Sequence, residues 1–249
     1  MGDFNIIKLD AITSTNDYLK DKRLKGDCKD GDLVWTKNQT AGRGQTNKVW
    51  QSEAENSISL SIYRAFGEMT PQYPFQISAA VACATVHALK SIGVPKLNIK
   101  WPNDILSCNK KIGGILIENT YKYSSLNETV IGLGLNINQQ NFNSLPNASS
   151  LSMLTNRKWN LETVFDSLVR AFQKVLFSDL FLTNKNYLNT FNSFLWRKNK
   201  ISKFKDSEKE FKAIPVAVTA QGKLLLLDPA GKLESEIDFN KAQMLYHNA

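Results

Sequence analysis

Val130-Ile131-Gly132-Leu133-Gly134-Leu135-Asn136-Ile137-Asn138 alternates strictly. Successive side chains of an extended chain point to opposite faces, so Ile131, Leu133, Leu135 and Ile137 share one side. Gly132, Gly134, Asn136 and Asn138 share the other. The first side is made for a core. The second begins bare and ends in amides, which suits a flat ligand lying on a sheet. An ordinary half-buried strand explains the alternation but not two glycines on one face.

Upstream, Ile112-Gly113-Gly114-Ile115-Leu116-Ile117-Glu118 reads as a second strand, preceded by Lys110 and Lys111 and opening on paired glycines. Glycine inside a strand marks a bulge or a close approach by a ligand or another backbone. Before it comes Lys100-Trp101-Pro102-Asn103-Asp104, which follows the short apolar run Leu97-Asn98-Ile99. Pro102 cannot continue a central ladder, so a turn is expected there, with Asn103 and Asp104 at a strand end where functional side chains gather. Simple turn chemistry also favours Asn and Asp at such a place, and Trp101 would serve equally well in a core.

Further upstream lies Gln39-Thr40-Ala41-Gly42-Arg43-Gly44-Gln45-Thr46-Asn47-Lys48-Val49-Trp50. Glycines let backbone N–H groups approach an anion. Arg43 adds a fork of donors matched to carboxylate or phosphate, Lys48 a mobile charge and Trp50 a flat ring face. Alone, the segment would suit a solvated surface turn. It is neither a Walker A loop nor a dinucleotide fingerprint, since GxxxxGK[ST] and GxGxxG are absent.

The remaining pattern predicts an α+β protein. Strands are expected at Phe4 to Leu9, Asp32 to Lys37 and Ser57 to Tyr63, and Ser14-Thr15 as the N-cap of a first helix. Phe75 to Ile92 is apolar nearly all round, as in a helix buried against a sheet. Leu161, Val164, Phe165, Leu168, Val169, Phe172, Val175 and Leu176 form a helical stripe, and the Asn-rich stretch from Asn138 to Asn147 is a loop. After Trp196 the pattern changes to short strands, Phe211 to Val218, Lys223 to Leu227 and Leu233 to Phe239, joined by Gly222 and Asp228-Pro229-Ala230-Gly231. A boundary is placed near residue 198, dividing strands and helices over 1–197 from a region of short strands over 198–249.

A chain of 249 residues buries a full core. No apolar run reaches the ~18 residues of a membrane span, and residues 1–20 carry Asp3, Asp10 and Asp17 without a signal-peptide core. Cys28, Cys83 and Cys108 lack disulfide or zinc spacing, which fits a reducing cytoplasm. His87 and His247 have no partners for a metal cage, and His87 is expected to be packing. The net charge of +8, from 31 Lys and Arg against 23 Asp and Glu, is spread along the chain. It favours anionic ligands and an acidic protein partner over nucleic acid.

Taken together, these segments resemble the biotin protein ligases, the BirA-like family. The motifs occur in the family's order: Ser14-Thr15-Asn16, Gln39 with Gly42-Arg43-Gly44 and Trp50, Lys100 through Asp104, Lys111 with Gly113-Gly114, then Gly132 through Asn136. The likeness is strong over about residues 5 to 140 and weaker in the tail. It implies a class II synthetase-like catalytic domain with an SH3-like C-terminal barrel. Because the motifs begin at Ser14, the DNA-binding winged helix of some relatives is not expected, and the monofunctional form is.

The resemblance implies a biotin–[acetyl-CoA-carboxylase] ligase with biotin and ATP as substrates and Mg2+ in attendance. Biotin would be activated as biotinyl-5'-AMP and passed to a lysine of a biotin carboxyl carrier protein, by a cytoplasmic monomer or homodimer. Lys111 and Arg43 are the implied catalytic residues. Ser14, Thr15, Asn16, Gln39, Gly42, Arg43, Gly44, Gln45, Lys111, Gly113 and Gly114 are implied for biotin. Arg43, Lys48, Trp50, Asn103, Asp104, Lys111 and Asn136 are implied for ATP and the adenylate. Asp104 would orient the ribose or hold a metal, and no metal ligand is assigned. Gln45 departs from the family, standing where several members carry an arginine implicated in holding the adenylate; weaker retention of the intermediate is expected. The rival readings are a lipoate or octanoate ligase and a non-catalytic module that binds biotinyl-adenylate.

Overall fold

A computed structural model describes residues 3–67, 71–142, 145–178 and 186–246. Its first half follows the order β1 (Asn5–Leu9), α1 (Thr15–Leu24), β2 (Asp32–Thr36), β3 (Gly42–Arg43), β4 (Val49–Trp50), β5 (Ser57–Ala65), α2 (Phe75–Ser91), β6 (Leu97–Lys100), β7 (Asp104–Ser107), β8 (Lys110–Lys122) and β9 (Ser125–Asn136). Then come α3 (Leu151–Thr155), α4 (Leu161–Leu176), α5 (Asn186–Ser193), β10 (Ser202–Lys205), β11 (Glu210–Val218), β12 (Leu224–Leu227), β13 (Leu233–Ile237) and β14 (Gln243–Met244). Seven strands make one mixed sheet in the order β1-β2-β5-β9-β8-β7-β6. Only its β1–β2 pair is parallel.

The period-two pattern sorts this sheet into two faces. Ile131, Leu133, Leu135 and Ile137 are buried together with Ile58, Leu60 and Ile62 of the neighbouring strand. Helices α2 and α4 cover that face, and the alanines of α2 let it lie close, with Ala79, Ala80, Ala82 and Ala84 all buried. The helix α1 packs on the opposite face through Leu19, against Val34, Tyr63 and Val130. Ser14 starts α1 as expected: its hydroxyl accepts the N–H of Asp17 at 3.3 Å, and Lys22 and Arg23 occupy the last turn, where cations oppose the helix dipole.

Most predicted helices and strands appear within a residue or two of their expected bounds, while the strands read over 112–118 and 130–138 run longer, over Lys110–Lys122 and Ser125–Asn136. Seven short elements do not follow from pattern: β3, β4, β7, α3, α5, β10 and β14. Strand β7 begins at Asp104, so the turn at Trp101–Asn103 is the corner of an antiparallel meander from β6 through β9. Two of its corners have both residues at positive φ without a glycine: Cys108-Asn109 at 50° and 64°, and Tyr123-Ser124 at 49° and 65°. That geometry matches the right-handed twist of the paired strands. His87 is exposed on the outer face of α2, with its ring edge-on to Phe194 at 5.9 Å. His247 and positions 143–144 of the Asn-rich segment lie outside the described residues.

The bare face needs one correction. Gly132 and Gly134 do not leave the strand open for a ligand. A Cβ at Gly132 would strike the Asn16 amide, and one at Gly134 would strike the Trp50 indole. The glycines make room for side chains of the protein itself, brought over the sheet by α1 and by β4.

The C-terminal strands form a five-stranded antiparallel sheet, β13-β12-β11-β10-β14, as expected for a small SH3-like barrel. Its buried Phe204, Ala213, Val218, Leu224, Leu226 and Met244 join the main core. Trp101 is buried at this junction and donates its indole N–H to the Gly222 carbonyl at 2.9 Å. The outer edge of β6 is closed by residues 194–196, through Ile99 N–H to Phe194 and Trp196 N–H to Ile99, both 2.8 Å. An unpaired edge would invite pairing with another chain.

Replacing Gly134 with alanine is expected to push the Trp50 indole off the strand and to destabilise the fold by about 1–3 kcal/mol, the usual cost of overpacking. A change in tryptophan emission that disappears in a Trp50→Phe background, with a lowered Tm, is the expected result; wild-type values for both would show that the ring rests elsewhere.

Candidate active site

A cavity of about 1150 Å³ lies over the glycine-bearing face of the sheet. The start of α1 and Gln39 close one end, the loop from Arg43 to Gln51 forms the roof, and the β6–β7 corner with Lys111 forms the far wall. The C-terminal barrel supplies a rim, residues 205–208 and 239–243, together with Tyr246.

The α1 end is a buried polar network. Residues 12–13 run beside residues 38–41, with Ile12 N–H to Asn38 at 3.0 Å and Ala41 N–H to Thr13 at 2.8 Å. This brings Gln39 to the helix start, where its Oε1 accepts the Thr15 N–H at 2.9 Å. Ser61 Oγ lies 2.7 Å from Thr15 Oγ1 and 2.5 Å from Asn16 Oδ1. Asn16 gives its amide N–H to Glu118 at 2.8 Å. Ser14, Thr15, Asn16 and Ser61 are each under 5% exposed, so their groups are fixed by one another rather than by water.

The roof is tied down by charge. Arg43 reaches Asp17 at 2.6 Å and Glu118 at 2.8 Å, and Lys20 bridges the same two carboxylates at 2.8 and 3.0 Å. Burial opposes ionisation of Asp17, but Lys20 and Arg43 outweigh it and hold that carboxyl below its ordinary value. Backbone pairs Gly42–Trp50 and Arg43–Val49 close the loop base, and Gly44 N–H bonds the Lys48 carbonyl at 2.7 Å. Trp50 then lies on the sheet, its Nε1–H buried without a protein acceptor.

The far wall holds the strongest electrostatics. Lys111 Nζ lies 2.6 Å from Asp104 Oδ1, and Lys100 Nζ 3.9 Å from Asp104 Oδ2. Lys111 is anchored by its backbone, its N–H to Asn147 at 2.7 Å and its carbonyl from Ser149 at 2.9 Å. Lys100 is 3% exposed. Burial, with Lys111 and Lys48 nearby, brings its ammonium down to about 8 although Asp104 opposes the shift. Burial works against the Asp104 carboxylate too, but Lys111, Lys100 and the Tyr246 hydroxyl keep it below the usual range. Asn103 donates to the Ile115 carbonyl at 2.7 Å and fixes the corner. Asn136 donates to the Ser149 carbonyl at 3.1 Å, while its Oδ1 is buried without a partner. Two unsatisfied groups, the Trp50 N–H and the Asn136 oxygen, are what a polar ligand would complete.

The model of the biotin/lipoate A/B protein ligase family matches residues 9–136, just over half of the chain. The chain belongs to that family. Its relatives include the bifunctional ligase/repressor BirA of Bacillus subtilis, 31% identical over 179 residues, covering 68% of this chain and 53% of the relative. The biotin–[acetyl-CoA-carboxylase] ligase of Mycobacterium tuberculosis is 33% identical over 150 residues, covering 58% and 54%. The BirA of Salmonella typhimurium is 34% identical over 133 residues, 53% of this chain and 41% of the relative. The chain thus spans about half the length, or less, of these curated relatives. A biotin protein ligase from Aquifex aeolicus, solved with biotin and ATP, shares the fold with a TM-score of 0.79 at 22% identity, over 97% of this chain and 98% of that one.

In this biotin/lipoate ligase domain, fourteen of the sixteen residues singled out by sequence line the one cavity described above. The two that do not are Gly42 and Gly113. Gly42 packs against Gln39 and Trp50, and Gly113 faces the core between Leu135 and Ile105. Arg43 and Lys111 are at different ends: the guanidinium is spent on α1 and β8 and not on the Lys111–Asp104 pair. Sequence reasoning missed Ser61, whose parity on β5 marks it as facing Gly132, and Lys100, whose motif was noted without a role. Tyr246 and the barrel rim carry no local signal. Among the described residues no group of three or more His, Cys, Asp or Glu gathers to hold a metal. No helix among them is long and apolar enough to cross a membrane.

Glu118→Gln should loosen the roof by removing one of the two carboxylates that hold Arg43. Exposed ion pairs contribute about 0–1 kcal/mol each, so a several-fold rise in tryptic cleavage after Arg43 or Lys48 is expected, with little change in Tm. Cleavage at the wild-type rate would show that the backbone pairs alone fix the loop.

Proposed function

We propose that the chain is an ATP-dependent biotin–protein ligase, forming biotinyl-5'-AMP and then biotinylating a lysine of a biotin carboxyl carrier protein. The observation that carries this reading is the position of Lys111. Its ammonium faces the cavity between a rigid polar end and the buried cation of Lys100, with Asp104 as its counter-charge among the described residues. The names of the relatives and of the Aquifex neighbour's ligands support the same substrates.

A carboxylate and a triphosphate repel each other, and fixed cations in a poorly hydrated cavity relieve that repulsion best as they meet. Lys111 would bridge the biotin carboxylate and the α-phosphate. A carboxylate oxygen attacks the α-phosphorus, the bond to the bridging oxygen breaks, and pyrophosphate departs. The carrier's lysine, as a free amine, then attacks the acyl carbon and AMP leaves, with no covalent enzyme intermediate. Ser14, Thr15 and Gln39 would meet the ureido ring, leaving Asn16 to fix the turn. Trp50 and Asn136 would complete their missing bonds at the adenine end. Gly44, Gln45 and Lys48 would lie along the phosphates. Arg43 would hold the roof down, releasing Asp17 and Glu118 when a phosphate competes for it. MgATP is the nucleotide form expected. We further propose that residues 1–197 and 198–249 are the catalytic and barrel units, supported by the start of the second sheet at Ser202, and that the ligase works in the cytoplasm on an acidic carrier.

Pyrophosphate release with biotin, and none with lipoate or octanoate, is the deciding experiment. Release with lipoate instead would move the chain to the other branch of the family, and release with neither would leave a binding module. Lys111→Ala should keep its fold and lose about 10²–10³-fold of the release rate, the usual effect of removing one transition-state donor. A folded variant with near-normal release removes Lys111 from its role.

Lys100 adds a pH dependence. Its folded-state value, about 8, lies below the ordinary 10.5, so folding releases a proton between these limits, and this group's penalty on stability shrinks as pH rises through them. For catalysis the sign is opposite. Above about pH 8 the free enzyme loses a positive charge from the phosphate end, so kcat/KM for ATP should fall there while kcat, set by the anion-bound form, holds to higher pH. Lys100→Met should show a low kcat/KM without that fall. The same fall in the Met variant would assign it to another group.

A further inference from the structure

The Asp104 carboxylate, beside the proposed catalytic Lys111, is served by two cations and one neutral donor. Its Oδ1 faces Lys111 Nζ at 2.6 Å. Its Oδ2 accepts the Tyr246 hydroxyl at 2.7 Å and has Lys100 Nζ 3.9 Å away. Tyr246 comes from the far end of the described chain and from the other sheet. It follows β14, where Phe204 pairs with Met244 and Leu245 N–H bonds the Lys203 carbonyl at 2.9 Å, so the backbone leading into it is fixed. Its ring packs against Trp196 at 5.6 Å and carries Lys100 Nζ 4.4 Å from its centre. The ring is therefore held on two sides and its hydroxyl has one acceptor.

We infer that Tyr246 is a positioning residue of the adenylation centre, holding Asp104 still so that Lys111 can leave it for the substrates. The inference rests on the ligase reading above. Lys111 must exchange Asp104 for the biotin carboxylate and the α-phosphate. A carboxylate held by ammonium ions alone would follow Lys111 and compete with the incoming anions, or turn to Lys100 and cancel its charge. A hydroxyl donor restrains the carboxylate without adding positive charge, and its bond to Oδ2 remains when Lys111 departs. The ring also shields Lys100 from water. The barrel thus completes the centre through one hydroxyl.

The test is Tyr246→Phe in the full-length chain. This variant keeps the ring on Trp196 and over Lys100 and removes only the donor. With biotin and MgATP, kcat for pyrophosphate release should fall about tenfold, in line with one charge-assisted hydrogen bond, while KM for biotin stays within about twofold. In an Asp104→Asn background the same change should have no further effect, whereas a hydroxyl with only a structural role would multiply the two losses. Tyr246→Leu, which removes the ring as well, should lose the same step and raise KM for ATP by uncovering Lys100. A second readout needs no substrate: the carboxyl carbon resonance of Asp104 in protein labelled with [13C]aspartate, assigned by its absence in Asp104→Asn, should move in Tyr246→Phe. If wild type releases no pyrophosphate with biotin, the ligase reading fails while this resonance still decides the role of Tyr246. An unmoved resonance, or losses that multiply, overturns the inference.

Discussion

Two ammonium groups, one of them buried, share one buried carboxylate, and much of the surrounding architecture answers to that constraint. Lys100 is almost wholly buried and stands beside Lys111 rather than opposite a partner of its own. Charges in such surroundings persist only where their counter-charge is well placed. The corner at Trp101–Asn103 sets Asp104 between them, Asn103 fixes that corner to β8, and Trp101 ties it to the barrel. The segment from Asn147 to Ser149 holds Lys111 by its backbone. What results is an excess of positive charge kept in reserve, stable enough to fold with and unsatisfied enough to attract an anion.

The opposite end of the cavity works on another principle. It carries no net need for a counter-ion, and its hydroxyls and amides are arranged by one another across three elements: α1, β5 and the segment beside Gln39. Such a network suits a neutral polar ring, since a misplaced analogue would leave buried groups unpaired. The glycines of β9 join the two principles. By leaving the sheet without side chains they let Asn16 settle at one end and the Trp50 ring settle next to it, so the roof and floor of the cavity touch.

Much of this was legible in the sequence. The alternation over residues 130–138 named the strand and its faces, because a period of two has one structural meaning when the apolar set is unbroken. The stripe from Leu161 to Leu176 did the same for a helix. Several motif residues sit at a strand end or cap that suits their residue type, as with Ser14 at the start of α1, Asp104 at the start of β7 and Asn136 at the end of β9. Three things were not readable. Strand β7 was hidden because Pro102, Asn103 and Asp104 signal a turn so strongly that the short strand after them was lost. The orientation of Arg43 depends on Asp17 and Glu118, which reach it only through folding. Tyr246 meets Asp104 across 142 residues of chain, and no local pattern marks so distant a contact.

The meander from β6 to β9 also has a bearing on how the molecule is assembled. Within residues 97–136 each strand pairs with the next in sequence through a tight corner, and only the outer sides of β9 and β6 meet distant partners, β5 and residues 194–196, so closing the meander itself costs little chain entropy. The lysines, Asp104 and Asn136 all ride on this unit. The partners at the other end of the cavity, Thr15, Gln39 and Ser61, must be gathered from separated segments. The cation-bearing half is therefore expected to take shape first, as a template on which α1 later docks. Pulsed hydrogen exchange during refolding would show this as protection of β8 and β9 amides ahead of those in α1; the reverse order would refute it. A protein assembled in that sequence is born attractive to anions before it can choose among them.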